Sequence, residues 1–345
     1  MINTTHGLVP KDAGYRFPAE WEKHDAVYFA WPYDHLSFPD IKETEQAFIK
    51  LLHAFEGNEH VKLLVHPDIE KHVYAQLQKN SLQEVEPISF DYGDVWFRDY
   101  GPTFITGSDL AMVKWTYNAY GNKYPELLKD DNVADFLQQQ EGWTYFKPNI
   151  VMEGGSIEAN GLGTILTTKQ CLLNKNRNPG LNKQDIEHIL QSYISAKHII
   201  WLEDGLVNDD TDGHIDNLAR FVNANTILVT SESEKTEPNY EASVKNEAVL
   251  KQSVDQDGKS FSIVRLPMPH VFSGGVLRSA SYANFYIANN AIMLPTFGVK
   301  EDAHAIGILK EHFPTRTIIP IPATYFVVGG GTIHCMSQQR PEYRT

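Results

Sequence analysis

Apolar and polar positions along the chain fall into one recurring order. From Glu153, the segment Gly154-Gly155-Ser156-Ile157-Glu158-Ala159 leads to the turn Asn160-Gly161 and a short apolar run, Ile165-Leu166-Thr167-Thr168. Ile186, Ile189, Leu190, Tyr193 and Ile194 follow at i, i+3, i+4, i+7 and i+8, the stripe of an amphipathic helix. His198-Ile199-Ile200-Trp201-Leu202 closes the unit as a buried strand. The order restarts at Gly213: residues 214–222 precede the turn Asn223-Ala224-Asn225, 227–230 return as a strand, and a helix near 240–254 and a strand over 262–266 follow. A third copy runs from 281–287 through the turn Asn289-Asn290 to Ile292-Met293-Leu294. Its helix carries Ala303, Ile306, Leu309 and Phe313, and its strand covers 317–321.

Two looser copies precede these. Thr103-Phe104-Ile105-Thr106 turns at Gly107-Ser108-Asp109 into Ala111-Met112-Val113, and residues 26–30 precede a helix on Phe48, Leu51, Leu52 and Phe55 and a strand over 61–65. Short Asn- and Gly-containing turns between apolar runs are hairpin signals. Five hairpin–helix–strand units predict an α/β fold in the form of a pseudo-symmetric five-bladed propeller, one domain over 1–345, rather than a doubly wound sheet. Residues 329–337 read as one more opening strand, which pairs with the first unit and leaves no open edge.

Radial repetition brings the starts of the opening strands together. Those starts carry Trp96, Arg98 and Asp99; Glu153; His214 and Asp216; Tyr282 and Asn284; and His334 and Cys335. A purely structural repeat would place interchangeable apolar residues there. Here the polar residue changes type from copy to copy, as one shared site requires.

Composition narrows the chemistry. Of 345 residues 42% are hydrophobic and 21% charged, values of a folded globular chain. Lys and Arg number 30 against 44 Asp and Glu, a formal charge of −14 that argues against nucleic acid and suits a small cationic ligand. No apolar run is long enough to span a membrane, and Met1–His6 show no leader pattern, so a cytoplasmic setting is expected. Two cysteines without a C-x-x-C spacing exclude a disulfide scaffold. Assembly as a homo-oligomer stays open.

The sharpest motif is Gly329-Gly330-Gly331-Thr332-Ile333-His334-Cys335. Gly330 and Gly331 allow close backbone approach to a ligand and deliver Cys335, here at a strand end, as a nucleophile rather than a small buried hydrophobe. Cys171, in an apolar context, reads as core. On a strand His214 and Asp216 face one side, pairing an imidazole with a carboxylate for acid/base work. A calcium loop starting at Asn208 fails because its bidentate position falls on Ala219; a His/Asp metallohydrolase site remains a lesser alternative. Arg98 reads as half of an Arg–Asp pair fixing a loop. Asp99, Glu153 and Asp216 around one His and one Cys fit a planar cation: carboxylates brought together raise one another's pKa unless a cation sits among them, and a guanidinium offers matching donors. Neither a metal nor an organic cofactor is required.

The stretches Trp96–Phe104, Glu153–Ile157, Asp212–Asn217, Ala280–Asn289 and Gly329–Pro341 together resemble the agmatine deiminases, and are similar to the bacterial peptidylarginine deiminases of the guanidino-group-modifying superfamily. The resemblance spans essentially the whole chain and implies the superfamily's five-bladed propeller (pentein) and hydrolysis of agmatine to N-carbamoylputrescine and ammonia. It implies Cys335 as nucleophile, His214 as general acid/base, Asp99 and Asp216 as guanidinium holders, and Glu153 as a carboxylate orienting His214. Trp96 is implied as a wall for the substrate's stem, and Asn284, Gly330 and Gly331 are placed with the substrate-binding residues. A peptidylarginine or free-arginine deiminase is the alternative within the class; its substrate's carboxylate or backbone would call for an arginine at the pocket mouth, such as Arg98, Arg220 or Arg278. Two positions depart from the family pattern: Thr332, where many relatives carry Asn, and Val299, where an acid is common.

Overall fold

The computed structural model describes residues 8–343; the Met1–His6 stretch read for a leader lies outside the described residues. Each repeat solves one local problem, that of burying a short hairpin beneath an amphipathic crossover. In the first unit β1 (His24–Ala30) runs parallel to β2 (His60–Val65) through the helix Ile41–Phe55. The helix Glu70–Lys79 then leads to β3 (Val85–Ser89), parallel to β2. In the second, β4 (Thr103–Thr106) pairs antiparallel with β5 (Leu110–Val113), and β6 (Thr144–Phe146) returns parallel to β5. The same antiparallel-then-parallel order recurs in β7 (Glu158–Ala159), β8 (Thr164–Thr168) and β9 (His198–Leu202), and in β10 (Ala219–Asn223), β11 (Thr226–Ser231) and β12 (Ser262–Pro267). A small hairpin, β13 (Phe272–Ser273) with β14 (Val276–Leu277), interrupts the series. The fifth unit is β15 (Tyr286–Ile287), β16 (Ala291–Thr296) and β17 (Thr317–Pro322). The fold is therefore α/β with mixed sheets.

The last strand, β18 (Gln338–Pro341), pairs antiparallel with β1, so the first sheet has the order β18-β1-β2-β3. The expected partner of the first unit is present, but it starts later than residues 329–337. Those residues form two short helical turns, Val327–Gly329 and Ile333–Met336. Gly330, at φ 116°, cannot continue a strand, and the Met336 amide closes a turn on the Thr332 carbonyl. The helix Glu70–Lys79 and β3 extend the first unit beyond its expected limits.

Helix Ile41–Phe55 buries Phe48, Leu51, Leu52 and Phe55, the residues its periodicity selected. Phe48 and Phe55 meet Phe29 of β1 edge-on, with centroids 5.8 and 5.3 Å away. Helix Lys183–Tyr193 starts on a capping box between Asn182 and Asp185. No helix among the described residues is long and apolar enough to cross a membrane.

Asn289, in the turn between β15 and β16, fastens the fifth unit to the first. Its Oδ1 accepts from the His24 amide (2.9 Å), and its Nδ2 donates to the carbonyls of His24 (2.9 Å) and Asn58 (3.2 Å). Asn289→Ala leaves these partly buried backbone groups unpaired and is expected to cost about 1–3 kcal/mol, read from urea unfolding.

Candidate active site

A short turn stands ahead of the opening strand in each of the five repeat sheets, and each turn delivers a polar side chain. The one-turn helix Phe97–Tyr100 precedes β4, the 3-10 turns Gly154–Ser156 and Ile215–Asn217 precede β7 and β10, and the helix Ile333–Met336 precedes β18. Before β15 the Asn284 amide folds back on the Ser281 carbonyl at 3.4 Å. This corrects the expectation of a strand for His214 and Asp216 and of a strand end for Cys335. Asp212 and Gly213, with φ of 65° and 90°, break the extended chain just before His214. The residues converge nonetheless, because all five turns face one place.

Cys335 is buried and gripped from two sides. Asn284 Nδ2 donates to its Sγ at 3.0 Å, and the thiol donates to Asp216 Oδ2 at 3.5 Å. Asn284 Oδ1 accepts from Thr332 Oγ1 (2.7 Å) and from the amides of His334 (3.1 Å) and Cys335 (3.3 Å). Asn284 thus organises the nucleophile turn rather than lining the cavity, and Thr332 takes part through its hydroxyl. His214 lies with Nδ1 3.5 Å from Asp99 Oδ1 and Nε2 3.9 Å from Glu153 Oε2. Neither ring nitrogen has a hydrogen-bond partner; Glu153 Oε2 and Asp216 Oδ1 also have none. Glu153 is held instead by Arg177, whose Nε donates to Oε1 at 2.7 Å.

Asp99 is fixed at both oxygens. The Gly155 amide donates to Oδ1 (3.0 Å) and the Tyr120 hydroxyl to Oδ2 (2.8 Å). Ala119, Tyr120 and Gly121 hold positive φ in succession (52°, 57° and 83°), a strained segment that brings the phenol to Asp99. Gly155 is required by space: a Cβ there would lie 2.6 Å from His214 Nδ1 and 2.7 Å from Asp99 Oδ1. Gly331 is required likewise, since a Cβ would come within 2.7 Å of the Trp96 ring and 2.9 Å of Cys335 Cβ.

Burial among acids sets the charge states. Burial, with Asp216 and Glu153 close by, pushes Asp99 up to about 6 although His214 opposes the rise. Burial raises the Cys335 thiol well above its ordinary range, and the Asp216 and Asp99 carboxylates add to it. Burial works to lower His214, but Asp99, Cys171 and Glu153 outweigh it and hold the imidazole well above its usual value. Burial also works against Asp216 and Glu153, yet His334 keeps the first ionised and Arg177 the second. These directions favour a protonated thiol and a protonated His214 ring in a nest of carboxylates.

A cavity of about 240 Å³ opens above this centre. Trp96, Asp99, Gly330, Gly331 and Cys335 line it, whereas His214, Asp216, Glu153 and Asn284 lie deeper. Trp96 Nε1 donates to Asp94, which turns the ring into the cavity wall. Arg98 does not pair with Asp99; it donates to the His334 carbonyl (3.3 Å) and to Gln339 Oε1 (2.7 Å), bracing the Cys335 turn. Cys171 is core as expected, but it also faces the site: ligand atoms of Glu153, Cys171 and His214 lie within 4.8 Å of one another, as do those of Glu20, Glu158 and His334. These are the sets that could hold a metal, and in each an arginine, Arg177 or Arg220, already binds a carboxylate. Arg177, Tyr120 and Glu20 lie at the site without having been selected by the sequence reading; His334 was grouped with Cys335 among the converging polar residues but given no role.

Comparison with known proteins places the chain in a family. The model of the Porphyromonas-type peptidyl-arginine deiminase family matches residues 16–341. This chain belongs to that family. Within it, the agmatine deiminase of Stutzerimonas stutzeri (strain A1501) is 35% identical, over 98% of this chain and 98% of its own length. The solved agmatine deiminase of Enterococcus faecalis superposes with a TM-score of 0.92 at 28% identity, covering 97% of this chain and 98% of that one. A Cys-to-Ser agmatine deiminase of C. jejuni with substrate bound gives 0.86 at 31% identity, covering 95% and 96%.

Two outcomes are expected. Gly155→Ala, by displacing His214 and Asp99, lowers turnover at least about 100-fold while the protein still folds, measured by steady-state kinetics and circular dichroism. Because the thiol's pKa is raised, Cys335 is protonated at pH 7; its alkylation by iodoacetamide, followed by mass spectrometry, is slow there and rises through pH 9 and above.

Proposed function

We propose that this member of the family hydrolyses agmatine to N-carbamoylputrescine and ammonia through a covalent intermediate on Cys335. The observation that carries the choice of substrate is the lining of the cavity mouth. Asp34, Glu126 and Asp210 line its accessible part and Asp94 lies buried in its wall, and no arginine or lysine among the described residues lines the cavity. A guanidino substrate that ends in an ammonium finds acids there, whereas arginine or a peptidylarginine would bring a carboxylate or backbone without a cationic partner. Arg98 and Arg220 are buried and engaged elsewhere, Arg220 with Glu158 and Glu20, and Arg278 does not line the cavity.

The guanidinium docks between Asp99 and the free Oδ1 of Asp216, with its stem along Trp96. Its positive charge offsets the carboxylates that hold the thiol protonated, so Cys335, which lines the open cavity, releases its proton to solvent and Sγ attacks the central carbon. Asn284 Nδ2, 3.0 Å from Sγ, donates to the sulfur as charge develops. The His214 imidazolium protonates the departing nitrogen, which leaves as ammonia and gives a Cys335 amidino-thioester. Water then adds to that carbon with neutral His214 as base, and collapse returns the thiolate and releases the urea product. Glu153, tied to Arg177, faces Nε2 of the same ring and fixes its orientation.

The reading carries with it a five-bladed propeller in a single domain, supported by the shared order of the five sheets and the β18–β1 pairing. It also carries a cytoplasmic setting, since the nucleophile must stay a free thiol.

Side-by-side ammonia release from agmatine, arginine and a blocked arginine peptide tests the substrate. The kcat/KM for agmatine should exceed the others at least about 100-fold; arginine or the peptide turned over as well would overturn the choice. Cys335→Ser should abolish release from every substrate while agmatine still binds, as measured by calorimetry.

A further inference from the structure

Behind the nucleophile turn lies a second charged cluster that meets the chemistry described so far only at Asp216. His334, next to Cys335 and 1% exposed, sits between two carboxylates. Its Nδ1 is 2.8 Å from Asp216 Oδ2 and its Nε2 is 2.9 Å from Glu20 Oε2. Carboxylates only accept, and a neutral imidazole has one N–H to give, so two such contacts call for a ring protonated on both nitrogens.

Charge balance leads to the same state. The charged groups packed around the ring are Glu20, Glu158 and Asp216, with Arg98 and Arg220, all buried. Arg220 donates to Glu158 (3.0 Å) and Glu20 (2.6 Å), and Arg98 stands 4.0 Å from Glu20. Three carboxylates face two guanidiniums; an imidazolium at 334 brings the cluster to neutrality, which burial demands.

From this arrangement we infer that His334 is a positioning residue, held as an imidazolium between Glu20 and Asp216, that aims Asp216 at the substrate and offsets its charge against the Cys335 sulfur. The same oxygen, Asp216 Oδ2, meets both His334 and the thiol, while Oδ1 is buried without a partner. Anchoring Oδ2 turns Oδ1 toward the incoming guanidinium. A cation on Oδ2 also weakens the repulsion that a thiolate 3.5 Å away would meet. Glu20 fixes the far side: its Oε1 accepts from the Ile287 amide at 2.7 Å, so the ring is clamped rather than free to tilt. The inference rests on the reading of Asp216 as a guanidinium acceptor, but the two tests that can overturn it, ring protonation and Cys335 alkylation, do not need turnover.

In the wild-type enzyme, nitrogen-15 spectra of histidine-labelled, assigned protein should show both ring nitrogens of His334 as N–H at pH 7; one bare nitrogen overturns the inference. Two variants separate the roles. His334→Asn keeps a donor where Nδ1 stands but removes the charge, and His334→Gln places its donor toward Glu20 instead. Alkylation of Cys335 at pH 8 should slow about tenfold in both, its rise with pH displaced upward. KM for agmatine should increase about tenfold in His334→Gln and much less in His334→Asn, where Asp216 keeps a donor. Folded variants whose alkylation profile matches the wild type overturn the proposal, whichever substrate the enzyme takes.

Discussion

Carboxylates buried together repel one another, and that repulsion governs this site. Asp99, Glu153 and Asp216 converge on one imidazole and one thiol with almost no solvent to screen them. The surroundings relieve the strain unequally. Arg177 neutralises Glu153, and the His334 contact serves Asp216, whereas Asp99 has a phenol, a backbone amide and the His214 ring 3.5 Å away, which together do not offset its burial, and is pushed upward. What stays unmatched is hydrogen bonding rather than net charge: Asp216 Oδ1 is buried without a partner. Under the function proposed above, a guanidinium between Asp99 and Asp216 supplies that partner, and its charge favours ionisation of the Cys335 thiol, which the same carboxylates oppose.

The repeated fold makes such a concentration of charge affordable. Each acid or thiol is held by its own turn ahead of its own strand, so no flexible loop must bring two of them together. A strand would spend its amides on the ladder. The turns instead leave amides free to point at side chains, as the Gly155 amide does toward Asp99 and the His334 and Cys335 amides do toward Asn284. The glycines follow from the same crowding: Gly155 and Gly331 stand where any Cβ would displace a catalytic group.

Much of this was legible in the chain itself. Hairpin turns and amphipathic stripes are local signals, and they located the five units and their helices. The change of polar type from copy to copy singled out Asp99, Glu153, His214, Asp216 and Cys335. What stayed hidden was long-range or conformational. Glu20 lies 314 positions from His334, and nothing in residues 16–22 marks it as a clamp. Arg177 sits in an Asn-rich loop, and Tyr120 reaches Asp99 through a backbone bend that its sequence does not announce. The turns at 214–216 and 333–336 were read as strands because alternating polar and apolar residues satisfy both patterns over so short a span. Asn284 was grouped with the substrate-binding residues because a family motif contains it, whereas its bonds go to the sulfur and the nucleophile turn.

The division between front and back gives the site its logic. On the front, Asp34, Asp94, Glu126 and Asp210 line the cavity with no arginine or lysine among the described lining residues, a field that favours a cation there. On the back, acids meet their counterions in near-stoichiometric fashion through Arg98, Arg220 and His334. An unbalanced back would spread repulsion through the core, and a balanced front would leave nothing for the substrate to neutralise. Asp216 belongs to both faces, one oxygen bound behind and one left open ahead. Through it, the ionic order of the core is transmitted to an oxygen, Oδ1, that no group among the described residues holds.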